Sequence, residues 1–84
     1  LCSSIFLKAA VYVEHIIAYH PFVDGNKRTA VTAAGVFLEN NGYRFSAAEG
    51  EIEHFALMVA TEKPPLEKIA SWLKRHSKKV KRRK

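Results

Sequence analysis

The sequence predicts an all-α domain, a small bundle of four helices around one central buried helix. Apolar residues recur at helical spacing in four segments. Prolines and an Asn-Asn-Gly turn separate those segments, and no run alternates as an exposed strand does. Eighty-four residues with a hydrophobic fraction of 48% are enough for one small core and not for two.

The first helix is predicted over residues 4–18. Its apolar stripe consists of Ile5, Ala9, Val13 and Ile16. The stripe continues to His20, and Pro21 then ends the helix because the residue before a proline is held outside the α region. His20 is therefore expected at the C-terminal end of the helix, on the side that faces the core.

The second helix is predicted over residues 27–41 and is the central element of the bundle. Its middle is apolar on nearly every side, which is typical of a buried helix, and its small residues let neighbouring helices approach closely. Gly42 follows two asparagines and supplies a left-handed stop. Residues 43–45 then form a short extended connector, and no segment has the pattern of a regular strand.

Two further helices complete the predicted bundle. Ser46 and Glu49 are predicted to form a capping box at the start of the third helix. The apolar stripe of the third helix consists of Ile52, Phe55, Ala56 and Val59. Pro64 and Pro65 separate it from the fourth helix. The stripe of the fourth helix consists of Leu66, Ile69, Ala70 and Leu73, with Trp72 beside it.

The positive charge of the chain is concentrated at its C-terminus. Residues 74–84 hold eight of the 14 Lys and Arg residues and no acid, so the first 73 residues carry six cations against eight anions. We therefore predict a helical core over residues 1–76 and a disordered basic tail over residues 77–84. Nucleic acid or an acidic partner would be contacted only through this tail.

The composition also indicates the cellular compartment in which the protein is expected. No apolar run approaches the roughly 20 residues that span a bilayer, so no membrane partner is expected. Cys2 is the only cysteine, which excludes an internal disulfide and fits the reducing cytoplasm. The pattern of the first helix begins almost at Leu1, so we expect an N-terminal part of the domain to be missing.

The chemically richest stretch is HPFVDGNKR, residues 20–28, where the second helix begins. The first N–H groups of a helix have no internal partners and, with the helix dipole, they form a site for an anion. Gly25 lets the backbone approach a ligand closely. An amide and two cations follow, Asn26, Lys27 and Arg28. Together these features predict a phosphate-binding loop.

Asp24 and His20 indicate that the predicted phosphate-binding loop could also catalyse a reaction. The Asp24 carboxylate would repel a bare phosphate, whereas Mg²⁺ bound to a polyphosphate takes one or two protein oxygens of this kind. His20 is the side chain of the loop best able to accept a proton near neutral pH. A metal carboxylate, a base and a phosphate loop are the minimal set for transferring a phosphorus group to a hydroxyl.

Each feature of the loop also has a simpler explanation. A histidine at a helix end is commonly a capping or core residue, and Asp-Gly-Asn alone is an ordinary turn. Lys27 and Arg28, however, are unfavourable beside the positive end of a helix dipole, and an anionic ligand would explain them. His15 and His20 lack the spacing of a zinc pair on one helix face, and GNKRT lacks the spacing of a P-loop.

The stretch HPFVDGNKR resembles the signature of the Fic/Doc superfamily, H-P-F-x-[DE]-G-N-[GK]-R. Three other segments resemble the death-on-curing (Doc) branch of that superfamily: LKAAVYVEHII, VFLENNGYRF and LEKIASWLKRH. The resemblance covers most of residues 5–76 and implies the helical Fic fold. Doc-like proteins usually carry a further segment before the helix that begins here, and that segment contributes packing and part of the substrate face.

The resemblance also implies a role for each residue of the loop. His20 would be the catalytic base that deprotonates a target hydroxyl, and Asp24 would hold Mg²⁺. The residues that would bind the phosphates of the nucleotide are Gly25, Asn26, Lys27 and Arg28. Phe22 would anchor the loop in the core.

Two positions differ from the AMP-transferring Fic enzymes and match Doc proteins. Lys27 stands where those enzymes have a second glycine, and Val31 stands where they have a further arginine. Doc proteins transfer the γ-phosphate of ATP to a threonine of elongation factor Tu and arrest translation. The resemblance therefore implies a toxin of a toxin–antitoxin system, with ATP as co-substrate.

The expected partners are a cognate antitoxin and a protein substrate similar to elongation factor Tu. Self-association is also expected, because the flank of the first helix would be exposed. Two other functions stay open at this point. The chain could transfer AMP to a protein hydroxyl, as most Fic enzymes do, or it could be a non-catalytic binding module that uses the basic tail as its contact.

Overall fold

The computed structural model of the chain describes residues 4–19 and 26–80, except for the side chains of residues 19 and 26–28. The elements in chain order are α1 Ser4–Tyr19, α2 Asn26–Asn40, β1 Tyr43–Phe45, α3 Glu49–Glu62, α4 Leu66–Arg75 and β2 Ser77–Lys79. The predicted all-α class is confirmed, and the bounds of the first two helices lie within one residue of the predicted ones. Among the described helices, none is both long and apolar enough to cross a membrane.

Helices α1 and α2 form the most extensive contact between the described elements. A short connection joins them, so they run antiparallel. Tyr12 of α1 meets Phe37 of α2 edge-on, with ring centroids 5.2 Å apart. The α4 helix covers α1, and α3 packs on α2. The buried core consists of Phe6, Ala9, Ala10, Val13, Ile17, Ala30, Val31, Ala34, Leu38, Phe55, Ala56, Val59, Ile69, Ala70 and Leu73.

The buried face of α1 is turned slightly from the predicted stripe. It begins at Phe6 rather than Ile5 and ends at Ile17 rather than Ile16, and the two predicted residues are only partly covered. Phe6 is held inside because its ring meets Tyr43 of β1 edge-on, with ring centroids 4.9 Å apart. The apolar spacing of α1 could not show this contact, since it joins segments far apart in the sequence.

The central helix α2 is buried along one side rather than on nearly every side. Val31 and Leu38 are fully buried, whereas Val36 is 52% exposed. Gly35 lies where β1 crosses the helix, and a Cβ atom at this position would be 3.0 Å from the ring of Phe45. The glycine therefore allows the strand to pack directly on the helix backbone.

A left-handed glycine ends α2, as predicted. Asn41 donates its N–H to the Leu38 carbonyl over 3.0 Å, and Gly42 donates to the Glu39 carbonyl over 3.3 Å. Gly42 has a φ of 90°, which costs a glycine nothing and would strain any other residue. This turn sends the chain back along α2 as β1, in agreement with the predicted extended connector.

Residues 77–79 form a strand, which corrects the prediction of a disordered tail over 77–84 and of a domain without strands. The β2 strand pairs antiparallel with β1, with Tyr43 opposite Lys79, Arg44 opposite Lys78 and Phe45 opposite Ser77. Ser-Lys-Lys has low strand propensity and no apolar alternation, so β2 depends on its partner strand and not on its own sequence. Residues 81–84 lie outside the described ranges.

The ladder continues for one hydrogen bond beyond each end of the two strands. At one end the Ser46 N–H donates to the His76 carbonyl over 2.8 Å. At the other end the Val80 N–H donates to the Gly42 carbonyl, also over 2.8 Å. Residues 76–80 are thus fastened to the turn after α2 along their whole length.

Glu51 caps the start of α3, so the predicted box of Ser46 and Glu49 is wrong. Ser46 still belongs to the ladder, and the helix begins only at Glu49. The Ala48 N–H donates to Oε1 of Glu51 over 2.9 Å, and Oε2 of Glu51 lies 3.6 Å from Nε2 of His76. The hydrogen bond from Ala48, together with the nearby His76, holds the pKa of Glu51 below its ordinary value.

Three stacked rings join α3 to the end of α4. Phe55 and Trp72 are parallel, with centroids 3.8 Å apart, and Trp72 stacks in turn on His76 at 4.0 Å. Nδ1 of His76 lies 2.9 Å from the Trp72 carbonyl, which can only accept, so this nitrogen donates. The stack fixes His76 at the junction between α4 and β2, and Trp72 flanks the core as predicted.

We expect Gly35→Val to destabilise the domain by about 1–3 kcal/mol, because the new side chain would overlap the Phe45 ring. The matched control is Gly50→Ala in the exposed first turn of α3, where an added Cβ meets nothing within 4 Å. This control should leave stability unchanged or raise it by up to about 1 kcal/mol. Urea denaturation measures both free energies of unfolding, and a fully stable Gly35→Val protein would contradict the contact.

We expect Glu51→Gln to lower the free energy of unfolding near neutral pH. A carboxyl whose pKa is lowered by folding stabilises the protein above its unfolded pKa, and this stabilisation is lost as the pH falls through the folded pKa. The difference between variant and parent should therefore vanish in acid. Glu14→Gln, at an exposed position of α1, is the control. A pH-independent loss of stability in Glu51→Gln would refute the electrostatic account.

Candidate functional site

The predicted site occupies the connection between α1 and α2. Helix α1 ends at Tyr19 and α2 begins at Asn26, so the connection comprises residues 20–25. His20, Phe22, Asp24 and Gly25 all belong to this connection and lie outside the described residues. The proposed base, loop anchor, metal ligand and glycine therefore stay predictions.

The next three predicted residues form the first turn of α2. The backbone of Asn26, Lys27 and Arg28 is helical, and their side chains are not described. The helix thus starts one residue earlier than predicted, and the amide and both cations stand at its positive end. No acidic residue lies in this turn. The N–H groups of the turn have no partners within the helix, so they can donate hydrogen bonds to an anion.

Residues of the hydrophobic core pack at this end of the α1–α2 helical hairpin. Ile17, in the last turn of α1, is 6% exposed, and Ala30, in the second turn of α2, is fully buried. Because the two helices are antiparallel, these residues bring the end of α1 and the start of α2 to the same end of the bundle. Packed helices therefore stand on both sides of the connection.

Val31 is part of the core and not of the candidate site. Its side chain is fully buried among the apolar residues of the bundle. A valine cannot hold a phosphate, and an arginine at this position would have to bury a charge or leave the core. The position that would carry a further phosphate ligand in AMP-transferring Fic enzymes is thus used for packing here.

Metal ligands are not clustered in the described part of the chain. No group of three or more His, Cys, Asp or Glu side chains in residues 4–19 and 26–80 could hold a metal ion. The predicted Mg²⁺ ligand, Asp24, lies outside these ranges.

A shallow groove on the other end of α2 was not predicted from the sequence. It has a volume of about 330 Å³ and is lined by residues of α2, the end of β1 and the start of α3. Its polar lining residues are Thr32, Glu39 and Ser46, and its apolar ones include Val36, Phe45 and Ile52. No histidine, cysteine or cation is among the lining residues of this groove. No signal in the sequence indicated this groove, because the exposure of Val36 is evident only in the structure.

Comparison with known proteins agrees with the motif at the α1–α2 connection. Residues 2–38 match the model of the Fic/DOC family, and this match includes the whole of HPFVDGNKR. No solved structure matches the chain.

A curated relative extends the similarity beyond the motif. The chain is 41% identical over 69 residues to a protein of Mycolicibacterium smegmatis named Toxin Doc. The aligned part covers 79% of this chain and 52% of the relative, so the chain spans about half the length of that protein. The signature sequence, the helical hairpin that carries it and both comparisons agree. The chain therefore belongs to the Fic/DOC family, on its Doc branch.

Proposed function

We propose that the chain acts as a Doc-type toxin that transfers the γ-phosphate of ATP to a hydroxyl of a protein substrate. One observation carries the proposal: the Fic/DOC signature lies where α1 ends and α2 begins, with Asn26 as the first residue of a well-packed helix. A translation elongation factor is the proposed substrate, by resemblance to Doc proteins, and its phosphorylation would inhibit translation.

The start of α2 is the proposed phosphate-binding element. Unpaired N–H groups and the helix dipole favour a negative group at this end, and the first turn adds Asn26, Lys27 and Arg28. Arg28 can bind one phosphate through two N–H groups, while Lys27 acts as a point charge. Gly25 would let the backbone reach the phosphate oxygens without a Cβ in the way.

His20 is the proposed catalytic base. Its imidazole would take the proton of the substrate hydroxyl as the oxygen attacks the γ-phosphorus, and the bond from that phosphorus to ADP would break. ADP then leaves with the displaced oxygen, and the proton remains on His20 until solvent removes it. Phe22 would keep this histidine in place by anchoring the connection in the core.

Asp24 fits a magnesium ion by the chemistry of its donors. One carboxylate next to a phosphate-binding helix start matches the preference of Mg²⁺ for one or two protein oxygens plus phosphate oxygens. When bound, the ion would neutralise part of the charge on the phosphates. The carboxylate would otherwise repel the nucleotide, so Asp24 has no evident use at this loop without a cation.

Transfer of the γ-phosphate rather than of AMP is favoured by two residues. Lys27 fills space that a glycine would leave open beside the phosphates. The buried Val31 provides no charge where AMP-transferring Fic enzymes have an arginine. Both differences change which phosphorus can face the attacking hydroxyl.

Two kinds of protein partner are proposed. One is a cognate antitoxin, and the other is a second copy of the chain or another protein that covers α1. Val11 and Tyr12 are each 46% exposed on this helix, an apolar surface that a partner would cover. An antitoxin would bind by folding a disordered segment along the helical surface. A non-catalytic binding module remains the alternative if transfer is absent.

We expect label from [γ-³²P]ATP, and not from [α-³²P]ATP, to reach an elongation factor substrate, and His20→Ala to abolish this transfer. Loss of a general base typically lowers the rate by about 10²–10⁴-fold. Nucleotide affinity should be unchanged in this variant, as measured by calorimetry. The matched control is His54→Ala on the exposed face of α3, which should transfer normally. Transfer of the α label would establish AMP transfer, and full activity of His20→Ala would remove the base role.

We expect Arg28→Ala to weaken the binding of Mg–ATP by about tenfold or more, since a charge-assisted hydrogen bond contributes about 1.5–3 kcal/mol. Arg75→Ala, at the far end of the chain, removes the same charge and is the control. Calorimetric titration of both variants gives the two affinities. Equal affinity in Arg28→Ala and the parent would contradict a phosphate cradle at the start of α2.

A further inference from the structure

Five cations share the end of the molecule where α4 passes into β2. Arg44 belongs to β1, and the other members of this cationic end are Lys74, Arg75, Lys78 and Lys79. All five side chains are exposed. Among the described residues, none of the five forms an ion pair with an acidic side chain. Their charge is therefore not used to hold the fold together.

Arg44 and Lys78 stand directly opposite each other across the two strands. The flanking hydrogen bonds, Ser46 to His76 and Val80 to Gly42, fix the pair as one of the hydrogen-bonded kind, with Cα atoms about 5.5 Å apart. Like charges in this position destabilise a sheet. The fold thus places two cations together where its own stability disfavours them.

Both side chains point away from the core. On β1, Tyr43 contacts Phe6 and Phe45 packs on Gly35, so these two rings lie on the inner face of the sheet. Because side chains alternate along a strand, Arg44 projects from the outer face, together with its partner Lys78. Arg75 precedes Lys78 by only three residues. By the same alternation Lys79, opposite Tyr43, lies on the inner face, so the outer positive surface is centred on the Arg44–Lys78 pair.

From this arrangement we infer that the cationic end binds the phosphate backbone of a duplex nucleic acid, without reading its sequence. Nucleic-acid interfaces are polar and strongly positive, and their affinity comes mainly from Lys and Arg beside phosphates. Outside this end and residues 81–84 the chain carries five cations against eight anions, so an extended polyanion is favoured at the cationic end.

The composition of the surface favours nucleic acid over an acidic protein. Protein interfaces are enriched in exposed aromatic residues and depleted in lysine, whereas this surface is rich in lysine. The nearby rings of Phe45 and Trp72 are engaged with each other, with centroids 5.9 Å apart, and Trp72 is also stacked on both sides. Because both of these described rings are engaged and offer no face for stacking a base, a duplex fits better than a single strand.

The cationic end is separate from the candidate phosphate-transfer site. Phe45 packs at the level of Gly35, nine residues after the first residue of α2. At a rise of 1.5 Å per residue, this is about 13 Å along the helix from Asn26. The two surfaces can therefore be tested independently, and loss of one leaves the other intact.

The test is binding of a fluorescein-labelled DNA duplex of arbitrary sequence to the full 84-residue chain, followed by anisotropy. Four phosphate contacts would reduce the affinity on the order of 100-fold between about 50 and 200 mM salt. Duplexes of unrelated sequence should bind equally. Absence of binding at about 50 mM salt would overturn the inference, as would tighter binding of the single strand than of the duplex.

Lys78→Glu is the decisive variant. It should weaken duplex binding by about fivefold to tenfold and reduce the salt dependence by about one phosphate contact. Because it turns the Arg44–Lys78 pair into opposite charges, it should fold at least as stably as the parent. A thermal melt checks this point, so weaker binding cannot be due to unfolding.

Lys68→Glu on α4 is the matched control, since it changes the net charge equally at an exposed position outside the cationic end. It should bind the duplex within about twofold of the parent, because salt screens distant charges. Equal losses of duplex affinity in Lys68→Glu and Lys78→Glu would overturn the inference in favour of a general charge effect. Competition by polyglutamate as effective as that by unlabelled duplex would overturn it in favour of an acidic protein.

Discussion

The close contact between α1 and α2 is the constraint on which the rest of the domain depends. Four alanines, Ala9, Ala10, Ala30 and Ala34, are fully buried in the core between these helices and their neighbours. Small side chains allow helix backbones to approach closely, and a short connection can then join the two ends. The same contact sets where α1 ends and α2 begins, and so places the two ends of the connection over residues 20–25. A larger residue at any of the four positions would force the packed helices apart.

A second set of contacts fastens the C-terminal half of the chain to this hairpin. Phe45 lies on Gly35, Trp72 stacks between Phe55 and His76, and His76 approaches Glu51 at the start of α3. The contacts of Phe45 with Gly35, of Phe55 with Trp72 and of His76 with Glu51 join different elements, and the backbone ladder of β1 and β2 closes the arrangement. The small sheet is therefore a consequence of tertiary packing. Three-residue strands have too few hydrogen bonds to be stable alone.

This dependence explains which features the sequence could predict. Helical spacing, prolines and the Gly42 stop are local signals, and they correctly predicted four helices and the ends of α1 and α2. The burial of Phe6, the role of Glu51 and the strand at 77–79 arise from contacts between distant segments, so no local pattern indicated them. Of the candidate site, the sequence predicted the position of α2 and its cationic first turn. The chemistry predicted for His20 and Asp24 rests on their residue types and on the family signature, because a short loop carries no periodic pattern from which its geometry follows.

Charge placement connects the two anion surfaces inferred for this chain. Excluding the last eleven residues, the protein is weakly acidic, so cations are not distributed at random over it. Lys27 and Arg28 stand at the positive end of a helix dipole, and Arg44 stands opposite Lys78 in a sheet. Folding alone disfavours both arrangements. An anion bound at each place would turn the same charges into favourable ones, so both positions are better explained by ligands than by stability. The anion at the start of α2 would be compact and multiply charged, because it is held by N–H groups at a single point. The anion at the cationic end would be extended, because the cations there are spread over two strands and a helix end.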